Sequence, residues 1–246
     1  MTEIAIIGGT GLNQLEGLTV TGREVMRTPW GEPSGPIVHG TLGGHDVAFL
    51  ARHGSGHTIA PHRINYRANV WALKQIGAER VVAVAAVGGI HPDFGPGRNA
   101  IPDQLIDYSY ERGHTFYEND DGEVVHVDFT EPYSAELRRA LVHAADEAGV
   151  DAIDWGTYAS TQGPRLETAA EIDRLERDGC HMVGMTGMPE AGLAREARLE
   201  YAHLAVVANA AAGRGQATIR MEDIMKNLET GMRSARAVIT ALVTAL

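Results

Sequence analysis

Two long apolar runs restrict the fold of this chain more than any other feature. Residues 80–89 read RVVAVAAVGG and residues 201–210 read YAHLAVVANA, and polar and apolar side chains do not alternate in either run. Runs of strand length that are rich in β-branched residues are typical of strands buried on both faces of a sheet. A sheet covered on both faces needs helices on each side, so the two runs predict an α/β fold.

Further strands and helices are predicted along the chain. Strands are expected in EIAIIGG, in CHMVGMTG, and in a hairpin formed by PIVHGTL and HDVAFLA around Gly43 and Gly44. Helices are predicted for residues 61–77, 131–149 and 169–179, and for a C-terminal segment with apolar residues at spacings of three and four: Ile224, Leu228, Met232, Ala235, Ile239 and Leu242. The polar residues 110–124 predict one excursion from the core. In a chain of 246 residues without repeats or linkers, we expect a single domain, residues 1–246.

Charge and cysteine content limit the possible partners and compartments. The formal net charge of −11 argues against a general nucleic-acid binder, because affinity for the phosphate backbone needs a basic surface. The one cysteine, Cys180, has no second cysteine to pair with, and the N-terminus reads as a strand without a signal or membrane segment. We therefore predict a cytoplasmic protein without nucleic-acid or membrane partners. The eleven histidines include no HExxH or Cys-His cluster, so no metal site is predicted.

A glycine-rich turn follows the first predicted strand. In GGTG, residues 8–11, glycines let backbone amides approach an anion closely, and Thr10 adds a hydroxyl donor, so the turn can hold a phosphate. Thr10 stands where a dinucleotide fingerprint has its second glycine, so the pattern does not indicate that motif. A plain tight turn explains GGTG equally well.

A second group of candidate residues lies in LARHGSGHT, residues 50–58, at the end of another apolar strand. Arg52 can bind phosphate through two hydrogen bonds, and His53 and His57 can donate to it or share its charge. The alternative is a solvated pair at the rim of the sheet. Three further strand ends carry polar or flexible groups: AAVGG at 85–89, GMTG at 184–187, and Asn209. Because ligands of α/β proteins bind where strands end, these five strand ends are expected to converge.

Four stretches of the sequence together resemble a known family. GGTG, then LARHG followed by HTIAPHRINYRANVWALK, then TQGPRLET, then GMTGMPEAGLAREA occur in the order and spacing of trimeric nucleoside phosphorylases. Over nearly its whole length the chain is similar to the purine nucleoside phosphorylase and 5'-methylthioadenosine phosphorylase family, and it is closer to the methylthioadenosine branch. The resemblance implies a central mixed β-sheet flanked by helices, a homotrimer, and no cofactor.

The same resemblance implies phosphorolysis of a purine nucleoside. Phosphate attacks the anomeric carbon as the base leaves, and an anion held beneath the sugar stabilises the positive charge that develops on it. By position, phosphate would be held by Thr10, Arg52, His53, Ala86 and Thr186, with Met185 against the ribose. Where the family often has a hydroxyl residue this chain has Ala85 followed by Ala86, so only backbone amides help there and a weaker phosphate site is expected. Without the family, Met185 would be read as core packing.

Two residues indicate a 6-oxopurine base. Methylthioadenosine phosphorylases have an aspartate at the end of the last strand and another two residues later, where this chain has Asn209 and Ala211. A carboxamide can donate to the adjacent acceptors N7 and O6 of hypoxanthine or guanine, and branch members that act on 6-oxopurines have asparagine here. Glu167, beside Leu166 in GPRLET, stands where 6-oxopurine phosphorylases accept from N1–H of the base. As alternatives, Asn209 caps a turn and Glu167 begins the following helix.

The residues expected at the 5' end of the sugar are apolar. Ordinary inosine phosphorylases have a histidine after the base-reading strand, but GRGQATIRMEDIM has none. Met221, Ile224 and Met225 lie there and suit a thioether, with core packing as the alternative for the methionines. His126 matches the residue that a neighbouring subunit contributes to the methylthio pocket in the family.

The sequence therefore predicts phosphorolysis of 5'-methylthioinosine to hypoxanthine and 5-methylthioribose 1-phosphate, with purine nucleoside and phosphate as the only small-molecule partners. An inosine/guanosine phosphorylase and a methylthioadenosine phosphorylase are the nearest alternatives. A nucleoside hydrolase would release the base without phosphate, and a non-catalytic module would bind without turnover.

Overall fold

A mixed sheet of ten strands forms the centre of the protein. The computed structural model describes residues 3–12, 14–118, 124–215 and 221–246. Its strands are β1 (Ile4–Gly8), β2 (Thr19–Glu24), β3 (Ile37–Leu42), β4 (His45–Ala51), β5 (Arg80–Gly89), β6 (Asn99–Ala100), β7 (Gln104–Asp107), β8 (Thr157–Ser160), β9 (Met182–Gly184) and β10 (Glu200–Ala210). They run in the order β2-β3-β4-β1-β5-β9-β8-β7, and β10 pairs with both β5 and β6. The predicted strands and the hairpin are confirmed.

Helices cover the sheet on both sides. They are α1 (Tyr66–Gln75), α2 (Ala135–Glu147), α3 (Ala169–Arg177), α4 (Gly187–Glu196) and α5 (Met221–Ala245). One cluster of buried residues joins the sheet to α2 and α5, and another joins it to α1 and α4. The strands between these clusters are buried on both faces, as β1 shows along its whole length. The α/β fold with a central mixed sheet is therefore confirmed. No helix in the described ranges has the length and apolar character needed to cross a membrane.

The helix predicted for residues 61–77 is shorter in the structure. Pro61–Arg63 forms a single 3-10 turn, and α1 begins only after Asn65, whose side chain accepts a hydrogen bond from the amide of Ala68. Asparagine is a strong N-cap because its side chain satisfies one of the free amides of the first helical turn. The prediction placed the start of the helix one turn too early.

Residues 110–124, predicted to leave the core, do so only in part. Arg112 is 8% exposed, and its guanidinium lies among backbone carbonyls. The preceding Glu111 has a φ of 55°, a left-handed conformation that turns the chain back toward the protein. Residues 119–123 of the stretch lie outside the described residues.

The pairing of β5 leaves an opening in the sheet. Strand β10 pairs with β5 along its length, while on the other side β1 pairs with residues Arg80–Ala83 and β9 pairs with Gly88 and Gly89. Residues 84–87 therefore have no strand partner on that side among the described strands. The register of β10 also shifts between Val207 and Asn209. Such a bulge re-aims the side chains that follow it, and it lies directly before Asn209.

Candidate active site

The opening beside β5 is the floor of a cavity of about 310 Å³. The ends of β1, β4, β5, β9 and β10 all reach it, so the predicted convergence of five strand ends is confirmed. Twelve of the predicted site residues line the cavity: Thr10, Arg52, His53, Ala86, Leu166, Glu167, Met185, Thr186, Asn209, Ala211, Met221 and Ile224. In the described part of the chain, no group of three or more His, Cys, Asp or Glu residues could hold a metal ion.

Arg52 is fully buried and already has a carboxylate partner. Its Nε and Nη2 donate to the two carboxylate oxygens of Glu190 at 2.8 and 2.9 Å, and its Nη1 donates to the carbonyl of Val84 at 2.8 Å. Burial alone lowers the pKa of Arg52, but the attraction of Glu190 outweighs it and raises the pKa above its usual value. Glu190 occupies the Nε and Nη2 side of the guanidinium, so a two-point contact of Arg52 with phosphate is left to Nη1 and Nη2. One N–H on each of Nη1 and Nη2 remains for an anion.

Gly9 is required by the position of this guanidinium. A Cβ on Gly9 would lie 2.8 Å from Nη1 of Arg52 and 2.6 Å from the carbonyl oxygen of Val84. Any side chain here would displace Arg52 from the end of β1. Gly9 in GGTG therefore has a steric role beyond forming a tight turn.

His53 is neutral and fixed in one tautomer. Its Nδ1 lies 2.8 Å from the carbonyl oxygen of Ile59, which can only accept, so Nδ1 carries the proton. Burial, followed by the positive charge of Arg52, lowers the pKa of His53 to about 4. The expectation that His53 shares positive charge with the phosphate site therefore needs correction for neutral pH. His57 lies beside it with 4.6 Å between ring centres and the rings tilted by 46°, and its Nε2 lies 3.4 Å from Oγ1 of Thr10.

Thr186 places an unsatisfied hydroxyl in the cavity wall. It is 4% exposed and occupies the N-cap position of α4, yet its side chain caps no amide. Its Oγ1 has no hydrogen-bond partner among the described residues. Buried hydroxyls normally have partners, so this group indicates a missing ligand. The alanines of β5 at 85 and 86 also line the cavity.

Asn209 and Glu167 also line the cavity, and each keeps hydrogen-bonding groups free. Nδ2 of Asn209 donates to the carbonyl of Ala210 at 2.7 Å, which is the local contact of a turn and leaves its second N–H and Oδ1. Oε1 of Glu167 accepts from the hydroxyl of Thr161 at 2.7 Å, which leaves Oε2. Glu167 does not begin α3, because Thr168 is the N-cap and forms a capping box with Glu171.

The residues predicted for the 5' end are only partly brought together. Met221 and Ile224, at the start of α5, line the cavity. Met225 is 53% exposed and is not among the described residues that line it, because it lies one helical turn further along α5. His126 is exposed, on a segment without regular secondary structure, and does not line the cavity of its own chain. Its predicted role in a neighbouring subunit stays a prediction.

Sequence reasoning missed Glu190, which is 0% exposed and supports Arg52. The hydroxyl of Tyr201 also donates to Glu190, at 2.9 Å. A signal was present, since Glu190 is a lone charge in the small, apolar stretch GMPEAGLA. A carboxylate in such surroundings is buried only with a charged partner.

Comparison with known proteins agrees with this geometry. The sequence profile described as "Phosphorylase superfamily" matches residues 3–244. The chain belongs to the phosphorylase superfamily. Within it, a protein of Pseudomonas syringae pv. tomato named probable S-methyl-5'-thioinosine phosphorylase is 56% identical over 245 residues, covering 100% of both chains.

Two further members of the phosphorylase superfamily place the chain among enzymes of purine nucleosides. The 6-oxopurine nucleoside phosphorylase of Pyrococcus furiosus is 48% identical over 218 residues, covering 87% of this chain and 81% of its own. The solved structure of methylthioadenosine phosphorylase from Schistosoma mansoni in complex with adenine superposes with a TM-score of 0.95 at 29% identity, covering 100% of this chain and 92% of that one. The chain is accordingly a nucleoside phosphorylase-type pentosyltransferase.

Proposed function

We propose that this chain catalyses phosphorolysis of 5'-methylthioinosine to hypoxanthine and 5-methylthioribose 1-phosphate. One observation carries the proposal: a single cavity holds an amide and a carboxylate with free groups, together with a buried guanidinium and an unsatisfied hydroxyl. The amide and carboxylate are Asn209 and Glu167, and the other two groups belong to Arg52 and Thr186. The reaction uses inorganic phosphate as co-substrate and needs no cofactor.

In the proposed reaction, the phosphate lies against the guanidinium and hydroxyl side of the cavity. Arg52 supplies its two remaining N–H groups, Thr186 its hydroxyl, and Thr10 with the backbone near Ala86 completes the cradle. Charge-assisted hydrogen bonds of this kind are about twice as strong as neutral ones. An anion held here both attacks the anomeric carbon and stabilises the positive charge that grows on the sugar, while Met185 supports the ribose.

The base is read by the amide and the carboxylate. The free N–H of Asn209 donates to the O6 and N7 edge of hypoxanthine, and Oε2 of Glu167 accepts from N1–H. Adenine offers an amino group to the amide and an unprotonated N1 to the carboxylate, so both contacts oppose it. Each opposed or unpaired buried polar group costs about 1 to 3 kcal/mol, which favours 6-oxopurines.

The apolar side chains at the start of α5 favour a methylthio group at the 5' position. Met221 and Ile224 present no hydrogen-bonding group to a 5'-hydroxyl, whereas thioethers pack well against methionine and aliphatic side chains. The name of the Pseudomonas syringae relative is in accord with this choice.

The test is base release from 5'-methylthioinosine, inosine, guanosine and 5'-methylthioadenosine, each with and without phosphate. We expect phosphate-dependent release of hypoxanthine, with 5'-methylthioinosine the best substrate. A higher kcat/KM for inosine would assign the chain to the inosine/guanosine phosphorylases, and a higher value for 5'-methylthioadenosine would contradict the roles of Asn209 and Glu167. Release without phosphate would indicate a hydrolase.

We further propose that the enzyme is a cytoplasmic homotrimer in which His126 reaches a neighbouring cavity. The exposed apolar side chains around it support a covered surface, since Val124 and Val125 are 76% and 40% exposed. The molecular mass measured by light scattering should be three times the 26.4 kDa of the chain, and a mass equal to that of a single chain would contradict the proposal.

A further inference from the structure

Arg112 is a buried cation that does not line the cavity but binds two chain segments that do. Six oxygens of the described residues lie within hydrogen-bonding distance of its five N–H groups, and none of them belongs to a carboxylate. In the described part of the chain it forms no salt bridge. Among the described residues this arginine, which is 8% exposed, is held by neutral oxygens, whereas buried charges normally pair with opposite charges. The groups that Arg112 binds therefore indicate its role.

On one side Arg112 holds the segment that carries the base-reading carboxylate. Its Nη2 donates to the carbonyls of Thr161 and Gln162 at 3.1 and 2.8 Å, and its Nε donates to the side-chain oxygen of Gln162 at 3.0 Å. Thr161 is the residue whose hydroxyl orients Glu167. Arg112 is thus two hydrogen bonds away from the carboxylate proposed to bind N1–H.

On the other side Arg112 holds the segment that carries the unsatisfied hydroxyl. Its Nη1 donates to the carbonyls of Met185 and Met188 at 2.9 and 2.6 Å, on either side of Thr186. Met188 departs from helical geometry with φ −121° and ψ 143°, so its carbonyl is not used within α4. Two residues later comes Glu190, the partner of Arg52.

The two segments touch one another, and Arg112 is their common partner. A side chain on Gly163 would collide with Met185, so residues 161–167 pack directly on residues 185–188. Tyr66 also contacts the guanidinium. Its hydroxyl oxygen accepts from Nη1 of Arg112 at 3.3 Å, and Cζ of Arg112 lies 5.5 Å from the centre of the tyrosine ring. A planar guanidinium presents five donors in a rigid fork to both segments at once, whereas an ammonium group is a compact charge with three donors.

We propose that Arg112 is a positioning residue that fixes the distance between the base-reading segment 161–167 and the phosphate segment 185–188. The kinetic part of this proposal rests on the function proposed above. Base, sugar and phosphate must be held together for attack on the anomeric carbon, and a displacement of about 1 Å can cost about a hundredfold in rate.

The test compares Arg112→Ala with Arg138→Ala. Arg138 also holds backbone carbonyls, those of Pro102 and Ile101 at 2.8 and 3.2 Å, but none of these residues lines the cavity. Hydrogen exchange of both proteins is measured without substrate, and kcat is measured with whichever nucleoside the native protein cleaves best. We expect faster exchange in both segments and a kcat lowered by about tenfold to a hundredfold for Arg112→Ala only. Added guanidinium at non-denaturing concentration should restore part of the loss.

Three results would overturn the proposal: unchanged exchange in both segments, a kcat within about twofold of the native value, or an equal loss in Arg138→Ala. If Arg112→Ala does not fold, Arg112→Lys replaces it under the same criteria, since lysine keeps the charge but not the fork. A native protein that cleaves none of the nucleosides would contradict the proposed function, while the exchange measurement would still decide the role of Arg112.

Discussion

Asn209 is the side chain on which the choice of base depends most directly. The double change Asn209→Asp with Ala211→Asp should move preference toward 5'-methylthioadenosine, because a carboxylate accepts from the 6-amino group and repels O6. Two altered contacts of about 1 to 3 kcal/mol each allow a change that can exceed about a thousandfold in the ratio of kcat/KM values. Glu167 opposes adenine N1 in both variants. The single variant Asn209→Asp, which lacks the second carboxylate, should therefore lose activity on 5'-methylthioinosine before gaining much on 5'-methylthioadenosine.

Asn227→Asp is the matched control for this change. Asn227 binds the carbonyl of Ala208 on the same strand at 3.0 Å but does not line the cavity. Its substitution should leave the ratio of kcat/KM values unaltered. If the double variant also keeps the native ratio, Asn209 only holds its turn through Ala210.

Two helix N-termini in this protein use threonine differently, and the difference can be measured. The hydroxyl of Thr168 accepts from the amide of Glu171 at 3.1 Å at the start of α3, whereas that of Thr186 at the start of α4 has no partner among the described residues. We expect Thr186→Val to leave thermal stability nearly unchanged and to raise the KM for phosphate by about tenfold to a hundredfold. Thr168→Val should instead cost about 1 kcal/mol of stability and leave the KM for phosphate unchanged. The reverse pattern would place phosphate away from α4.

The sequence predicted best those elements whose burial is periodic or continuous. Strands β1, β5 and β10 and helix α5 were found because their apolar residues repeat as a sheet or helix requires. Helix α4 was missed because it is buried on several sides, contains Gly187 and Pro189, and so shows no apolar stripe. Strand β2 was missed because it is an exposed edge with no apolar run.

The same limit applies to the candidate site. The cavity-lining residues follow strand ends and could be read from the sequence together with the family resemblance. The roles of Glu190 and Arg112 could not be read in this way. Glu190 depends on Arg52, a partner 138 residues away, and Arg112 depends on the fold of a polar loop. Long-range ion pairs leave no local periodicity to detect.

The stability of the whole molecule should depend on pH through a buried histidine that has no role in the proposed reaction. His203 is fully buried against Tyr133, Tyr158 and Tyr201, and neither ring nitrogen has a hydrogen-bond partner in the described ranges. Burial, followed by the charge of Arg52, lowers the pKa of His203 from 6.5 to about 3. Between those values the unfolded chain binds a proton that the folded protein does not, so stability falls as pH drops below about 6.5. The expected loss from this residue is about 2 kcal/mol between pH 7 and pH 5.

Urea unfolding of the native protein and of His203→Leu at both pH values measures this contribution. The variant should lose about 2 kcal/mol less than the native protein over that interval. His143→Leu, on an exposed face of α2, controls for the removal of a histidine from the surface. An identical pH dependence in His203→Leu and the native protein would show that His203 is already protonated or already partnered when folded.

The fixed tautomer of His53 gives the cavity a way to distinguish two tetrahedral dianions of nearly equal size. Because Nδ1 donates to the carbonyl of Ile59, Nε2 can only accept a hydrogen bond, and hydrogen phosphate at neutral pH has one O–H group that can donate it. Sulfate carries none, so its oxygen would face the lone pair of Nε2. One such mismatch costs about 1 to 3 kcal/mol, so sulfate should compete with phosphate at least about tenfold more weakly than its charge and shape predict. Inhibition by sulfate as strong as substrate binding by phosphate would mean that the imidazole is charged when the anion arrives.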